Sequence, residues 1–365
     1  MKPHDKVFNR RKMLAGTALG ATALLLPRHA ASAATLDRGM RGLDGVGRAP
    51  VGALAGWKGR PDLLPDVGSC VFGAFAGTGE TIEGIEALGV DIGLTTIYWK
   101  QLKSPASIVN DNLKKGIITR VELELTSAFT DAGEPVKDLW TRIAAGTYDA
   151  QLKQLLVGIG PLASICHEAD LAPGEQGGVG TQIAGTPTEY AAMWRHVVTV
   201  ARGLGATTRW FFDMSFSVKR WGENLTAEGS TGMYPGHRYV DFVGWDGFDW
   251  VNVPLHKPPA ANRTSFGSMM GQFGRWDWYT SNFGQRGDAN WKPLMIGETA
   301  CSAAAAPVQP ADAWMDDMRT WLHAHPAVTH VIWFSVKYPD HDRRLTGDAQ
   351  TQAGTRRIAS DVLFV

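Results

Sequence analysis

An α/β chain folded as a single closed (β/α)8 barrel of the TIM type is what this sequence predicts, on three observations. Short runs rich in β-branched and aromatic residues recur at eight places. Amphipathic helical segments stand between most of them. The alternation fills roughly 270 residues, a size at which eight strand and helix units close on themselves. A doubly wound open sheet is the competing architecture. Its signature is missing, because "FAGTGETIEG" offers Gly77 and Gly79 without a third glycine at the required offset, and no G-x-x-x-x-G-K occurs.

Residues 1–33 read as an export leader. Arg10 and Arg11 precede an apolar stretch from Met13 to Leu26, and Ala31-Ser32-Ala33 fits a cleavage site. The paired arginines resemble the twin-arginine signal, which exports proteins already folded; ordinary secretion is the other route. Either way the mature chain is expected outside the cytoplasm, secreted or periplasmic. The apolar run is too short and too rich in Gly and Ala to span a membrane, and no other segment could. Residues 34–66, rich in Gly, Arg, Ala and Pro, read as a flexible lead-in. That leaves 67–365 for the barrel.

The strand runs are "CVFGAF" (70–75), "IGLTTIYW" (92–99), "GIITRVELEL" (116–125), "LASICH" (162–167), "TRWFFDM" (208–214), "YVDFVGW" (239–245), "KPLMIGE" (292–298) and "HVIWFSV" (330–336). Between the fourth and fifth lies a helix over 186–205, with Thr186 as N-cap, Pro187 behind it and Gly205 as stop. Tyr190, Met193, Trp194, Val197, Val198 and Ala201 form its apolar face. A similar helix over 310–325 would bury Trp314, Met318, Trp321 and Leu322.

Bulk properties exclude several classes of function. The 365 residues carry 36 basic and 36 acidic side chains, and no basic stripe follows residue 60, which removes the electrostatic case for a nucleic acid partner. Three cysteines, Cys70, Cys166 and Cys301, allow at most one bridge; each sits in an apolar run and reads as a buried thiol. His323, His325, His330 and "DHD" (340–342) have no metal-ligand spacing, and no second histidine completes an H-E-x-x-H after Glu168. No G-x-S-x-G occurs. No metal and no cofactor are expected, and a monomer is.

In a barrel the loops after the strands form the open face, so function is sought at the carboxyl ends. Glu168 ends the fourth run and Glu298 the seventh. A carboxylate at an apolar mouth is costly unless paired or used, and two carboxyl groups about 5 Å apart are the equipment of a retaining glycosidase. The acid must carry its proton near neutral pH, which calls for burial or a nearby negative charge; the nucleophile must stay ionised, which calls for hydrogen-bond donors. His167 or Arg209 are the candidate donors. Glu122 and Glu124 share one side of the third run and read as a solvated or ion-paired face, with Glu124 the one that could reach a cleft.

"CHEADL", "YPGHRYVDFVGWDGFDW", "KPLMIGETA" and "HVIWFSV", with the 186–205 helix, resemble the strand signatures of glycoside hydrolase family 26, the β-mannanases with some β-1,3-xylanases and mixed-linkage β-glucanases. The resemblance implies Glu168 as general acid/base, Glu298 as nucleophile, His167 as a lining residue of the sugar site and Trp333 as a sugar platform. It matches Asp246 to the family's aspartate after strand six. Two residues later the family usually has a tyrosine able to hydrogen-bond the nucleophile; here Phe248 stands there and cannot donate. After Glu168 the chain continues Ala169, Asp170, Leu171 and a glycine-rich loop, where many members have Met, Asn and soon a Trp. These departures leave the polymer open.

The chain has 14 Trp against 7 Tyr. Trp99, Trp245, Trp250, Trp276, Trp278 and Trp291 fall at strand ends or in the loops behind them, and together suggest an aromatic cleft that stacks on sugar rings. The expected function is therefore a secreted retaining endo-β-glycosidase acting on a β-mannan-type polysaccharide. A non-catalytic polysaccharide-binding barrel, and a glycosidase or transglycosylase acting on a bacterial cell-surface glycan, are the alternatives.

Overall fold

The computed structural model describes residues 56–131, 134–166, 185–214, 233–249, 263–303, 308–338 and 341–365. The expected leader, together with His167, Glu168 and Trp250, lies outside these residues.

Eight parallel strands close into a barrel, as the sequence predicts, and the open-sheet alternative falls. They are β1 (Val71–Ala76), β2 (Leu94–Trp99), β3 (Ile118–Leu123), β4 (Leu162–Ile165), β5 (Arg209–Met214), β6 (Phe242–Phe248), β7 (Leu294–Ala300) and β8 (Val328–Ser335). Each pairs with its neighbour in chain order, and β8 returns to β1 in a register running from Val71 opposite His330 to Ala76 opposite Ser335. The third run is shorter than expected, because Glu124 leaves the ladder to start a helical turn, Leu125–Ala128. The sixth runs three residues later than expected. Tyr239 belongs to a 3-10 turn, His237–Tyr239, and the Asp241 carboxylate accepts a hydrogen bond from the Trp210 amide, so pairing begins only at Phe242.

Outside the barrel run α1 (Ile82–Glu86), α2 (Ala106–Lys114), α3 (Leu139–Ala144), α4 (Asp149–Leu156), α5 (Pro187–Gly203), α6 (Phe266–Gly271), α7 (Arg275–Phe283), α8 (Ala311–Ala324) and α9 (Ala349–Ala359). The start of α5 shows why a helix begins there. The Thr186 side chain accepts from the Glu189 amide while Glu189 accepts from the Thr186 amide at 2.6 Å, so two orphan donors are satisfied reciprocally. At its end Gly205 takes φ +78°, a conformation side chains disfavour. The six apolar residues expected on its face are all buried. Among the described residues no helix is long and apolar enough to cross a membrane.

The barrel interior is filled from its amino-terminal end. Val71, Leu94, Ile118, Leu162, Phe211, Phe242, Met295 and Ile332, one from each strand, form one apolar cluster. Trp57, Leu63 and Leu64 pack beneath it and close that end. The last part of the segment expected as a lead-in is therefore built into the barrel. The chain's final residues meet the same end: the Cys70 amide donates to the Leu363 carbonyl at 2.7 Å and the Val365 amide to the Cys70 carbonyl at 3.1 Å. All three cysteines are buried, and burial pushes the Cys70 and Cys301 thiols upward.

His330 lies against this plug, with its ring edge-on to Trp57 at 5.5 Å and to Phe242 at 5.2 Å. Burial pushes its pKa down to about 3, partly opposed by the Leu63 backbone. The unfolded chain takes up that proton near pH 6.5 and the folded chain does not. The stability contributed by the neutral ring is thus complete above the unfolded value and is lost as pH falls toward the folded one, by up to ~1.4 kcal/mol per pH unit. Unfolding midpoints recorded across this window should fall less steeply with acid in His330→Phe than in the wild type.

Candidate active site

The carboxyl end of β7 breaks the alternation of the sheet. Ile296 lies opposite Trp245 and Thr299 opposite Gly247 on β6, while on the other side the same two residues face Val331 and Trp333 on β8. Three steps along β7 therefore match two along each neighbour, so β7 carries one extra residue at Gly297 and Glu298. A bulge of this kind re-aims the side chain that follows it. Glu298 is buried, at 1% exposure, and its Oε1 accepts a hydrogen bond from the Tyr98 hydroxyl at the end of β2. Gly297 is needed for a steric reason. A Cβ there would collide with the Asp213 carboxylate and stand 2.9 Å from Arg120 Nη1.

Those two groups belong to an ion cluster inside the barrel. Arg120 on β3 has no exposed surface; it donates to Glu122 at 2.6 Å and to Asp213 on β5 at 3.1 Å, and its guanidinium lies 5.2 Å from the Phe211 ring centre. A buried guanidinium is tolerable only when its charge is paired, as both Nη groups are here. Nearby, Arg275 from α7 donates to the Asp246 carbonyl at 2.9 Å. Burial lowers its pKa to about 10, against the opposing pull of Asp246 and Asp213, so it stays cationic at neutral pH.

A third cation lies within electrostatic reach of Glu298. Arg343, fully buried, lies 4.9 Å from the Phe248 ring centre and 5.8 Å from that of Tyr338. Burial pulls its pKa below the usual arginine range, while Tyr338, Asp249 and Glu298 are among the groups that favour its charge. Asp249, just past β6, is paired with buried Arg263, which also donates to the Ser302 carbonyl. Glu298 thus sits beside a hydroxyl donor and within electrostatic reach of a buried guanidinium.

Several expected site residues are elsewhere. Trp333 is fully buried, donates to the Arg343 carbonyl at 2.8 Å and meets Trp314 of α8 edge-on, so it fills the layer between strand and helix instead of offering a sugar platform. Trp245 is fully buried against Tyr279, and Trp99 is buried with its indole bonded to the Lys103 carbonyl. Trp276 and Trp278 ride on α7, and Trp291 packs against the closed end. The reason is parity: in each strand these tryptophans stand next to an inward residue and so point outward. The rings at the mouth are instead Phe75, Tyr98, Phe248 and Phe334.

Asp246 is buried within β6, and Phe248 ends that strand, half-buried over Arg343. Arg209 serves the opposite end: it pairs with Asp241 at 2.8 Å and donates to the Pro61 carbonyl, so it is no donor to Glu298. Glu124 is buried and paired with Lys100 at 3.1 Å, and Glu122 with Arg120. Tyr98, Arg120, Asp213 and Arg343 were not singled out from the sequence. The alternation of Leu94, Thr96 and Tyr98 in "LTTIYW" was the available signal for the first. Among the described residues no group of three His, Cys, Asp or Glu side chains could hold a metal ion.

Compared by sequence, the chain matches no family model and no curated protein. Compared by structure, it resembles GH26C from a Muricauda species at a TM-score of 0.57 and 14% identity, over 84% of this chain and 88% of that one. It also resembles a modular endo-β-1,4-mannanase of glycoside hydrolase family 26 from Cellulomonas fimi at a TM-score of 0.57 and 15% identity, over 88% and 76%. The expected likeness to family 26 holds for the fold, and identities this low speak for the fold alone.

Two substitutions test these assignments. Gly297→Ala should destabilise the protein by ~1–3 kcal/mol through overpacking against the Arg120 and Asp213 pair, read by chemical denaturation. Trp333→Ala should cost ~3–5 kcal/mol, as for any large core ring, read by the same denaturation.

Proposed function

We propose that this protein is a retaining β-glycosidase that cuts a β-linked polysaccharide by double displacement. The observation that carries the reading is Glu298: a carboxylate buried at the open end of the barrel, beyond its ion cluster, re-aimed by a bulge, hydrogen-bonded by Tyr98 and close to a buried arginine. Packing does not require an acid at such a position, and a nucleophile does.

In the proposed reaction Glu298 attacks the anomeric carbon and the glycosidic C–O bond breaks. Glu168, two residues beyond Cys166 in the chain, gives its proton to the leaving oxygen. Water then attacks the glycosyl ester, gives a proton to Glu168 and releases the Glu298 carboxylate. The configuration at the anomeric carbon is retained. The substrate class proposed is a β-mannan-type polymer, supported by the sequence resemblance and by the mannanase among the structural neighbours. The paired arginines of the leader support action outside the cytoplasm. The burial of Trp99, Trp245 and Trp333 weakens the binding-only alternative, which drew on those rings for its platforms.

The test is a screen of purified protein on mannans, glucans, xylans and bacterial cell-wall glycans, followed by Glu298→Ala and Glu168→Ala. Glu298→Ala should lose activity by several orders of magnitude with its fold intact. Azide should rescue it on an activated aryl glycoside to give the α-glycosyl azide, and should rescue Glu168→Ala to give the β-anomer. An inverted product from the wild type, or near-normal turnover by Glu298→Ala, would overturn the reading.

A further inference from the structure

The mouth of the barrel is walled on one side by a chain of rings. The Tyr98 ring on β2 stands edge-on to Phe75 on β1, with centroids 5.0 Å apart and planes at 83°. Phe75 stacks on Phe334 of β8 at 5.1 Å, and Phe334 meets Phe248 of β6 edge-on at 5.8 Å. Three of these four residues carry only hydrocarbon. The phenol of Tyr98 is the polar group in the wall, and its partner is Glu298 Oε1. Phe248 at the other end of the chain places no donor beside the carboxylate; its ring is taken up by Arg343.

We infer that Tyr98 is a positioning residue that holds Glu298 ionised and aimed for attack; the inference rests on the proposed role of Glu298 as nucleophile. A hydrogen bond given to the charged form of a carboxylate favours that form, and bonds to ionised groups are about twice as strong as neutral ones. The bond is strongest when Glu298 carries its full charge and weakens when it becomes an ester. Tyr98 therefore opposes the loss of charge in the first half-reaction and favours its return in the second, when the carboxylate is the leaving group. Its removal should slow release of the intermediate more than its formation. A tyrosine that merely satisfied its own hydroxyl would produce neither effect.

Tyr98→Phe tests this directly, because it removes one oxygen and keeps the ring against Phe75. The probes are 2,4-dinitrophenyl β-mannobioside, β-cellobioside and β-xylobioside, whose leaving group needs no proton, so that the acid limb of kcat/KM reports the ionisation of the nucleophile alone. In the variant that limb should move up by about one pH unit, and kcat should fall further than kcat/KM on the plateau, with KM falling alongside. A limb that stays at the wild-type position in a folded variant overturns the inference. The wild type is labelled in parallel with the matching 2-deoxy-2-fluoro glycoside, and the modified peptide is identified by mass. Labelling at Glu298 with an unmoved limb sinks the role of Tyr98 alone, whereas labelling at another residue sinks the proposed nucleophile.

Discussion

One buried cation organises the interior of this barrel. Arg120 sits directly above the apolar cluster that fills the closed end, and it is held there by Glu122 from its own strand and Asp213 from β5. A guanidinium taken fully out of water is destabilising by several kcal/mol unless its charge is met, so this pairing constrains the two strands that supply it, β3 and β5. It leaves no space for a side chain at residue 297. The residue after that glycine is the one that rises clear of the cluster, and it is Glu298.

The molecule thus divides its chemistry by the two faces of the sheet. Outward positions carry the large aromatic residues, Trp210, Trp245 and Trp333 among them, packed edge-on against helix side chains. Inward positions above the plug carry charge: Arg120, Glu122, Asp213 and Asp246. Arg343 joins the two regions. Its guanidinium lies against Phe248 while its carbonyl receives the Trp333 indole, so the ring and the ion near Glu298 are tied to the packed outer layer.

Most of the fold was legible because strand alternation and helix capping are local signals. "TPTEYAAMWRHVV" announces its own start, with Thr186 and Glu189 three residues apart, and α5 begins there. The site was less legible, for two physical reasons. The tryptophans drew attention by number, but number does not say which face a side chain takes; Trp333 lies between Ile332 and Phe334, which point inward, and so it points out. The partners of Glu298 are also far from it in sequence. The Tyr98 donor is 200 residues away, and only closure of the barrel brings the two together. The bulge that aims Glu298 breaks the very periodicity by which a strand is read.

The strap formed by Leu363 and Val365 on Cys70 joins the last residues of the chain to the start of β1, at the same end that Trp57 and Leu63 seal. Glu298 stands at the other end of the cylinder. Anything attached at either of these two places, such as an affinity handle, a resin or a second module, is kept about a strand length from Glu298. The protein can therefore be anchored to a surface by its base, with the end of the barrel that carries Glu298 turned toward solution.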